Sequence, residues 1–130
     1  MKASSEWAVF IHPTTLKLAP FIKKLLEPVI CTETSKRIEL GLNEALVNAA
    51  VHGNRSNPNK VIRVRRIITP NWFIWQIQDE GLGIVENKRI GSLPFRIDAN
   101  SGRGIYLINQ CFDDVRWSKK GNRLQLSLKK

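Results

Sequence analysis

The sequence predicts an α+β fold, because it carries one strong helical period and two β-hairpin patterns. Apolar residues recur at the three-to-four spacing of a helix with one buried face: Ile38, Leu42, Ala45 or Leu46, and Ala49. Residues 60–79 and 114–128 are rich in β-branched and aromatic residues, and turn residues interrupt each stretch once. Hairpins and helices in one short chain are typical of an α+β protein.

The composition indicates one soluble domain. We expect a single domain over residues 1–130, with 42% hydrophobic and 25% charged residues, which is ordinary for a globular protein. No apolar run is long enough for a membrane span, and the start, 1–7, has no signal-peptide core. Cys31 and Cys111 lack CxxC spacing, so we expect buried thiols in a reducing compartment. These features predict a cytoplasmic protein with no membrane association.

The charge balance admits several partners. With 21 Lys+Arg against 11 Asp+Glu, the net charge is +10, which fits nucleic acid, an acidic protein or phosphate ligands. The cations are spread along the whole chain, and no helix-turn-helix, zinc-finger or RNA-recognition signature is found. We therefore expect no direct nucleic-acid binding, although charge alone does not decide the question.

The first elements are a strand and a helix. Trp7–Ile11 is a β-favouring run that His12-Pro13 closes. A helix is predicted from about Leu18, with Pro20 in its first turn, where proline costs little, and Pro28 at its end.

The central helix follows, capped by Thr32 or Thr34 and running to His52, with Gly53 as its terminal glycine. Three polar residues at i, i+4 and i+8 form one row on it: Glu44, Asn48 and His52. Gly41, one turn earlier, is expected to leave room beside the Glu44 carboxylate. A carboxylate and a carboxamide one turn apart are oxygen ligands suited to Mg²⁺, although a core helix with a polar exposed row has the same pattern.

The first hairpin is predicted from strands 60–68 and 72–79. By parity, Asp79 points to the same side as Trp75 and Ile77, and it should emerge at the edge of the core beside the central helix. Trp72 and Ile74 face the other way. That outward face is either a surface for a homodimer or another partner, or it is covered by the N-terminal segment.

The second half of the chain begins with a long loop. Residues 80–100 have no periodicity, and a loop of this length in a small domain is usually functional or mobile. Ser101-Gly-Arg-Gly104 opens a short helix over 105–111. Strands 114–118 and 123–128 close the chain as a hairpin.

Three motifs follow one another in a fixed order. They are Glu44 with Asn48 on the helix, Asp79-Glu-Gly-Leu-Gly83 after a strand, and Ser101-Gly-Arg-Gly104 before a helix. Each motif alone also occurs as an ordinary structural turn or helix start. Together they resemble the N, G1 and G2 boxes of the ATPase superfamily of gyrase, MutL, the heat-shock chaperone and the sensor histidine kinases. The closer resemblance is to the anti-sigma factor serine kinases, because residues 44–53 look like that family's N box and residues 101–108 look like its G2 box. The length of 130 residues fits this subfamily, since we expect no phosphoacceptor or transducer domain beside the ATPase domain.

The resemblance implies a histidine-kinase-like (Bergerat) fold, a two-layer α/β sandwich. Its mixed or mainly antiparallel sheet carries three helices on one face, and ATP lies between the sheet, the helices and a lid. It also implies a serine/threonine-protein kinase that uses ATP and Mg²⁺, phosphorylates an anti-anti-sigma (STAS) partner and binds a sigma factor.

The family's residue roles carry over to matching positions. Asp79 would accept a hydrogen bond from the adenine amino group. Gly81 and Gly83 would let the backbone pass close to the base and begin the lid, which we expect over 86–100. Asn48 would ligate Mg²⁺, and Glu44 would take the proton from the attacking hydroxyl. The backbone of the second glycine motif would contact the triphosphate: Ser101, Gly102, Arg103 and Gly104.

One position departs from the family pattern. Relatives have Gly-Thr in the closing hairpin, with the threonine near adenine, whereas this chain has Gly121-Asn122. For His52 and Asn54 a role at the helix C-terminus is favoured over a phosphate contact. Two alternatives to the kinase stay open: an ATP-dependent binding switch without kinase activity, and a nucleic-acid binder that uses Arg63 and Arg65.

Overall fold

The structure, a computed structural model, describes residues 5–84 and 103–130. The described residues form five strands: β1 (Glu6–Pro13), β2 (Val61–Ile68), β3 (Trp72–Gln78), β4 (Asp114–Trp117) and β5 (Arg123–Lys129). They make one sheet in the order β1-β2-β3-β5-β4. Three helices accompany the sheet: α1 (Ala19–Leu25), α2 (Thr32–Val47) and α3 (Arg103–Cys111).

All strand pairings among the described residues are antiparallel. Short turns join β2 to β3 and β4 to β5, and a hairpin connection permits only the antiparallel arrangement. The α+β fold and the predicted hairpins are therefore confirmed, and of the two expected sheet types the antiparallel one is found rather than the mixed one.

The sheet buries one face against the helices. Along β3, Trp75 and Ile77 are buried, and their cross-strand partners on β5, Leu126 and Leu124, are buried as well. Because side chains alternate across a strand, this face contributes one half of the core. The helices supply the other half: Phe21, Ile22 and Leu25 from α1, Ile38, Leu42, Ala45 and Leu46 from α2, and Ile105, Ile108 and Cys111 from α3. Asp79 follows β3 directly, at the end of this buried face.

The opposite face of the sheet is open at its β1 edge. Trp7, Val9 and Ile11 are each about 60% exposed there. The guanidinium carbon of Arg65 lies 4.8 Å from the centre of the Trp7 ring. Glu6–Pro13 therefore extends the sheet as its edge strand, so this part of the N-terminal segment does not form a cover over the outward face. Trp72 and Ile74 on that face are half-buried.

Two local expectations are corrected. No threonine caps α2: its N-cap residue is Cys31, and no side-chain hydrogen bond caps the helix. Cys111 is buried as expected, but Cys31 is exposed, because it lies in the short connection between α1 and α2 rather than on an apolar face. Among the described residues, no helix combines the length and apolar content that crossing a membrane requires.

The central helix also changes form before it ends. The α-helix stops at Val47, and Asn48–Gly53 continue as a π-helical turn. Its signature is the Asn54 N–H, which donates to the Ala49 carbonyl five residues earlier at 2.8 Å. Because a π turn is wider than an α turn, the predicted row does not continue in register to His52, which is exposed. π turns are frequent at functional sites, and this one begins at Asn48.

Candidate functional site

The helix α2 and the start of α3 bring two of the three motifs together. Glu44 and Asn48 are half-buried on α2 and the π turn, and both face Gly104. A Cβ atom at Gly104 would lie 3.0 Å from the Glu44 Oε2 and 3.7 Å from the Asn48 Oδ1 and Nδ2. We call these three residues the Glu44 cluster. The helix motif and the second glycine motif therefore meet at Gly104.

Gly41 determines how closely the two helices pack. A Cβ atom there would lie 2.6 Å from the Phe112 ring and 2.7 Å from the Cys111 Cβ. The role expected for Gly41, room beside the Glu44 carboxylate, is thus wrong. The glycine lets the end of α3 approach α2, and this close packing carries the start of α3 toward Glu44 and Asn48.

The remaining residues of the second glycine motif are only partly described. Arg103 begins α3, and Ser101 and Gly102 lie outside the described residues. The lid predicted over 86–100 also lies outside them. In the described part of the motif, Gly104 lies beside Asn48 in the first turn of α3, so the N-terminus of this helix is close to Asn48.

Asp79 lies where strand parity predicts, on the helix side of the sheet. Its carboxylate lies against Gly53, where a Cβ atom would be 2.7 Å from Oδ1, and Oδ1 accepts a hydrogen bond from the Gly81 N–H at 2.7 Å. A carboxylate has about four acceptor positions, and the Gly81 N–H uses one of them. Burial raises the pKa of Asp79 above its ordinary value of 3.8, while the Gly81 N–H and the charges of Lys120 and Lys60 act in the opposite direction.

Gly53 is present for a different reason than the sequence indicated. The φ angle of Gly53 lies outside the left-handed region. Among the described glycines, only Gly83 and Gly121 have a positive φ. The residue is glycine because a side chain would occupy the position of the Asp79 carboxylate. A residue that was expected to end a helix thus forms one wall of the Asp79 site.

The two glycines of the Asp79 motif contact different parts of the molecule. Gly81 packs on the backbone of Gly53, where a Cβ atom would lie 2.8 Å from the carbonyl carbon. Gly83, at φ 96°, packs on the β4–β5 turn, and a Cβ atom there would lie 2.8 Å from the carbonyl carbon of Lys120. Both positions exclude side chains, so this segment lies close to the π turn and to the closing hairpin.

The residue that departs from the family pattern lies beside Asp79. The Asp79 N–H donates to the Asn122 carbonyl at 3.0 Å, and the Asn122 Nδ2 donates to the Asp79 carbonyl at 3.3 Å. Asn122 therefore occupies the expected neighbourhood, but its amide binds the protein backbone.

Asn54 is the residue whose importance the sequence did not reveal. It is fully buried, with no exposed surface. Its Oδ1 accepts from the Glu80 N–H at 2.7 Å, and its Nδ2 donates to the Thr14 Oγ1 at 2.9 Å and to the Val61 carbonyl at 3.0 Å. Asn54 is the C-cap residue of the π turn through its N–H, as predicted, whereas its side chain joins other segments of the chain. We call Gly53, Asn54, Asp79, Gly81 and Asn122 the Asp79 cluster.

The donor set fits a nucleotide-bound Mg²⁺ better than a protein-only metal site. Within the described ranges, no group of three His, Cys, Asp or Glu residues could hold a metal ion. Mg²⁺ commonly takes one or two protein oxygens and completes its shell with substrate phosphates and water. The half-buried amide of Asn48, near the Glu44 carboxylate and the start of α3, matches that mode.

A separate groove lies at the other end of the sheet. Its volume is about 660 Å³, and its lining includes Val29, Cys31, Ile68, Phe73 and Leu128. None of the residues predicted to be functional lines it. The groove and the two clusters are therefore distinct features of the molecule.

Comparison with known proteins adds two findings. Residues 17–128 match the family model described as a histidine kinase-like ATPase domain. The chain is also 28% identical, over 116 residues, to a protein of Geobacillus stearothermophilus named anti-sigma F factor. That alignment covers 87% of this chain and 75% of the relative. The region matched by the family model includes every residue of both clusters.

Proposed function

Because this chain belongs to the histidine kinase-like ATPase family, we propose that it is an ATP-binding anti-sigma factor and serine/threonine-protein kinase. In this proposal residues 1–130 act as one domain that phosphorylates an anti-anti-sigma (STAS) partner and regulates transcription by binding a sigma factor. The observation that supports it most is the presence of two polar clusters, one around a half-buried carboxylate and one at a helix N-terminus, in a chain similar to an anti-sigma F factor.

The Asp79 cluster is the proposed base site. A half-buried carboxylate accepts hydrogen bonds, so it suits the exocyclic amino group of adenine, which donates them. Guanine presents an acceptor at the same position, so the carboxylate disfavours it. Gly81 and Gly83 let the segment after Asp79 pack on the backbone of Gly53 and of Lys120, and this packing supports a fixed position for the proposed base site.

The Glu44 cluster is the proposed phosphate site. Asn48 would hold Mg²⁺, which would supply positive charge to the triphosphate. Gly104 lets the backbone at the start of α3 approach phosphate oxygens without a side chain between them, and the N–H groups of Ser101, Gly102 and Arg103 would extend that contact.

Glu44 is the proposed general base. Its carboxylate would accept the proton of the partner's serine or threonine hydroxyl as that oxygen bonds to the γ-phosphorus. The bond between the γ-phosphorus and the β,γ-bridging oxygen breaks, and ADP leaves. Glu44 is half-buried and lies about one helical turn before Asn48, and this supports a proton acceptor beside the proposed metal ligand.

The test separates a kinase from a nucleotide-dependent binding switch. Asn48→Ala removes a metal ligand, so Mg-ATP binding and phosphoryl transfer should both fall. Glu44→Ala removes the proton acceptor, so ATP should still bind while transfer falls by about 100-fold or more, the usual value of a positioned base. Transfer of radiolabelled phosphate to a STAS protein is measured beside calorimetric ATP titration of both variants.

The outcomes are distinct. Equal transfer by wild type and a folded Glu44→Ala variant would show that Glu44 is not the base. If the wild type binds ATP but transfers no phosphate to any STAS protein, the switch is the better description. Binding to random DNA that competing salt removes would support the nucleic-acid alternative.

Two further expectations complete the proposal. A protein that binds a sigma factor would act in the cytoplasm. A homodimer is proposed through the outward sheet face, where Trp7, Val9 and Ile11 are exposed. Sedimentation at rising concentration, with Val9→Asp as the variant, tests it: the variant should stay monomeric where the wild type associates.

A further inference from the structure

Asn54 is a buried polar side chain whose hydrogen bonds join three distant segments. It has no exposed surface, and burying an amide is unfavourable unless its donors and acceptors are paired. Both of its donor bonds and its acceptor bond go to partners in β2, in the segment after β1, and in the segment after β3. The Thr14 hydroxyl that accepts from Asn54 itself donates to the Lys60 carbonyl at 2.8 Å.

The backbone around Asn54 adopts uncommon conformations. The π turn ends one residue before it, and the next two residues, Arg55 and Ser56, have positive φ angles of 52° and 58°. Neither residue is glycine. Residues with a side chain seldom adopt a positive φ unless the surrounding structure holds them there. The surroundings therefore hold the backbone on both sides of Asn54 in conformations that an ordinary helix end does not have.

The bond from Glu80 connects this network to Asp79. The Glu80 N–H belongs to the peptide that follows Asp79, and Asn54 holds it at 2.7 Å. On its other side Asp79 is held by Asn122, through the bond from the Asp79 N–H. The Glu80 carboxylate also accepts from the Val61 N–H at 2.6 Å, next to the carbonyl that Asn54 binds. The backbone that carries Asp79 is thus fixed from both sides.

Asn54 also adjoins the wall of the Asp79 site. Gly53, its neighbour in sequence, lies against the Asp79 carboxylate. A movement of Asn54 would therefore displace two parts of the site together, the wall and the backbone that carries the carboxylate. Its side chain makes this link through Thr14, Val61 and Glu80.

We propose that Asn54 is the positioning residue of the base site, and that its side chain sets the direction in which Asp79 presents its carboxylate to the 6-amino group of a purine. The inference rests on the proposed ATP function. It predicts that Asn54 affects discrimination between bases and not only the stability of the fold.

The experiment compares ATP with purine riboside triphosphate, which lacks only the 6-amino group. Calorimetry gives the affinity ratio of the two nucleotides for the wild type, Asn54→Ser and Thr14→Val. Asp79→Asn is the reference for a lost amino contact. Asn59→Ser and Thr15→Val are matched controls, because Asn59 is exposed in the following loop and Thr15 adjoins Thr14 outside the network. Thermal unfolding of every variant is recorded.

We expect the wild type to bind ATP about tenfold or more tightly than purine riboside triphosphate, because one charge-assisted hydrogen bond contributes about that much to affinity. Asn54→Ser should reduce that ratio at least threefold, and Thr14→Val should reduce it less, while the controls keep it. Valine has nearly the same shape as threonine, so Thr14→Val tests the same hydrogen-bond network if Asn54→Ser does not fold.

A wild-type preference that both Asn54→Ser and Thr14→Val retain would overturn the inference, even if their unfolding temperatures fall, because Asn54 would then only stabilise the fold. If instead the wild type binds neither nucleotide, or binds both equally, the proposed base site fails. The two failures are therefore distinguishable.

Discussion

The two clusters of the site are held together by different forces. The Asp79 cluster depends on hydrogen bonds between segments far apart in the chain, such as those that Glu80 donates to Asn54 and Asn122 donates to Asp79. The Glu44 cluster depends on the close packing of α2 and α3, which the contact of Gly41 with Phe112 permits. A change in the first cluster should therefore displace backbone, whereas a change in the second should remove a group and leave its scaffold in place.

The largest expected effect is on ATP binding by Asp79→Asn. The substitution replaces a charged acceptor by a neutral amide, and a hydrogen bond to a charged group is worth about 1.5–3 kcal/mol. ATP affinity should fall by about 10- to 150-fold, while the fold survives. Calorimetric titration measures the affinity, and circular dichroism checks the fold. A folded variant with unchanged ATP affinity would show that Asp79 does not read the base.

A pair of glycine substitutions compares the clusters directly. Gly53→Ala places a methyl group against the Asp79 carboxylate, and overpacking of this kind costs about 1–3 kcal/mol. Gly104→Ala places its methyl group 3.0 Å from the Glu44 Oε2, at the end of a side chain that can rotate away. In a helix alanine is favoured over glycine by about 0.8–1 kcal/mol. We therefore expect that the free energy of unfolding, measured in urea, falls for Gly53→Ala but not for Gly104→Ala.

Equal losses of unfolding free energy would contradict this comparison. Such a result would mean that the Glu44 cluster is held as rigidly as the Asp79 cluster. Phosphoryl transfer by Gly104→Ala is a separate measurement, and we expect it to fall because the methyl group stands between the α3 backbone and the phosphates.

The smallest expected effect is a pH dependence of stability. Burial raises the pKa of Asp79 in the folded protein, so its ionised form costs folding free energy. That cost is present above the folded-state pKa and disappears as the pH falls toward the unfolded value near 3.8. Without nucleotide, Asp79→Asn should be more stable than wild type at pH 7, and the difference should shrink as the pH falls. If the stability difference between Asp79→Asn and wild type stayed constant between pH 7 and pH 4, this result would contradict the raised pKa of Asp79.

The sequence was sufficient for the parts of the site that depend on regular periodicity. Glu44 and Asn48 are four residues apart, so a helix must place them on neighbouring turns. Strand parity placed Asp79 on the helix side. Both predictions use repeats that hold before any tertiary contact forms, and the described structure agrees with them.

The parts that depend on tertiary packing could not be predicted. Gly41 and Gly53 were assigned to local roles, but their true neighbours, Phe112 and Asp79, are distant in sequence. The π turn and the two residues of positive φ leave no periodic signal. Asn54 looked like an ordinary polar residue after a helix, since only the fold brings Thr14, Val61 and Glu80 to its amide.

The π turn makes the length of this segment a constraint in its own right. A ring closed between Ala49 and Asn54 contains one residue more than an α-helical ring. Deletion of one residue between them would restore the α-helical register and rotate everything that follows by about 100° about the helix axis, since an α turn holds 3.6 residues. The Asn54 amide would then point away from β2 and from the segment after β3. Related chains that share this site should therefore vary in composition between these two positions but keep the same number of residues.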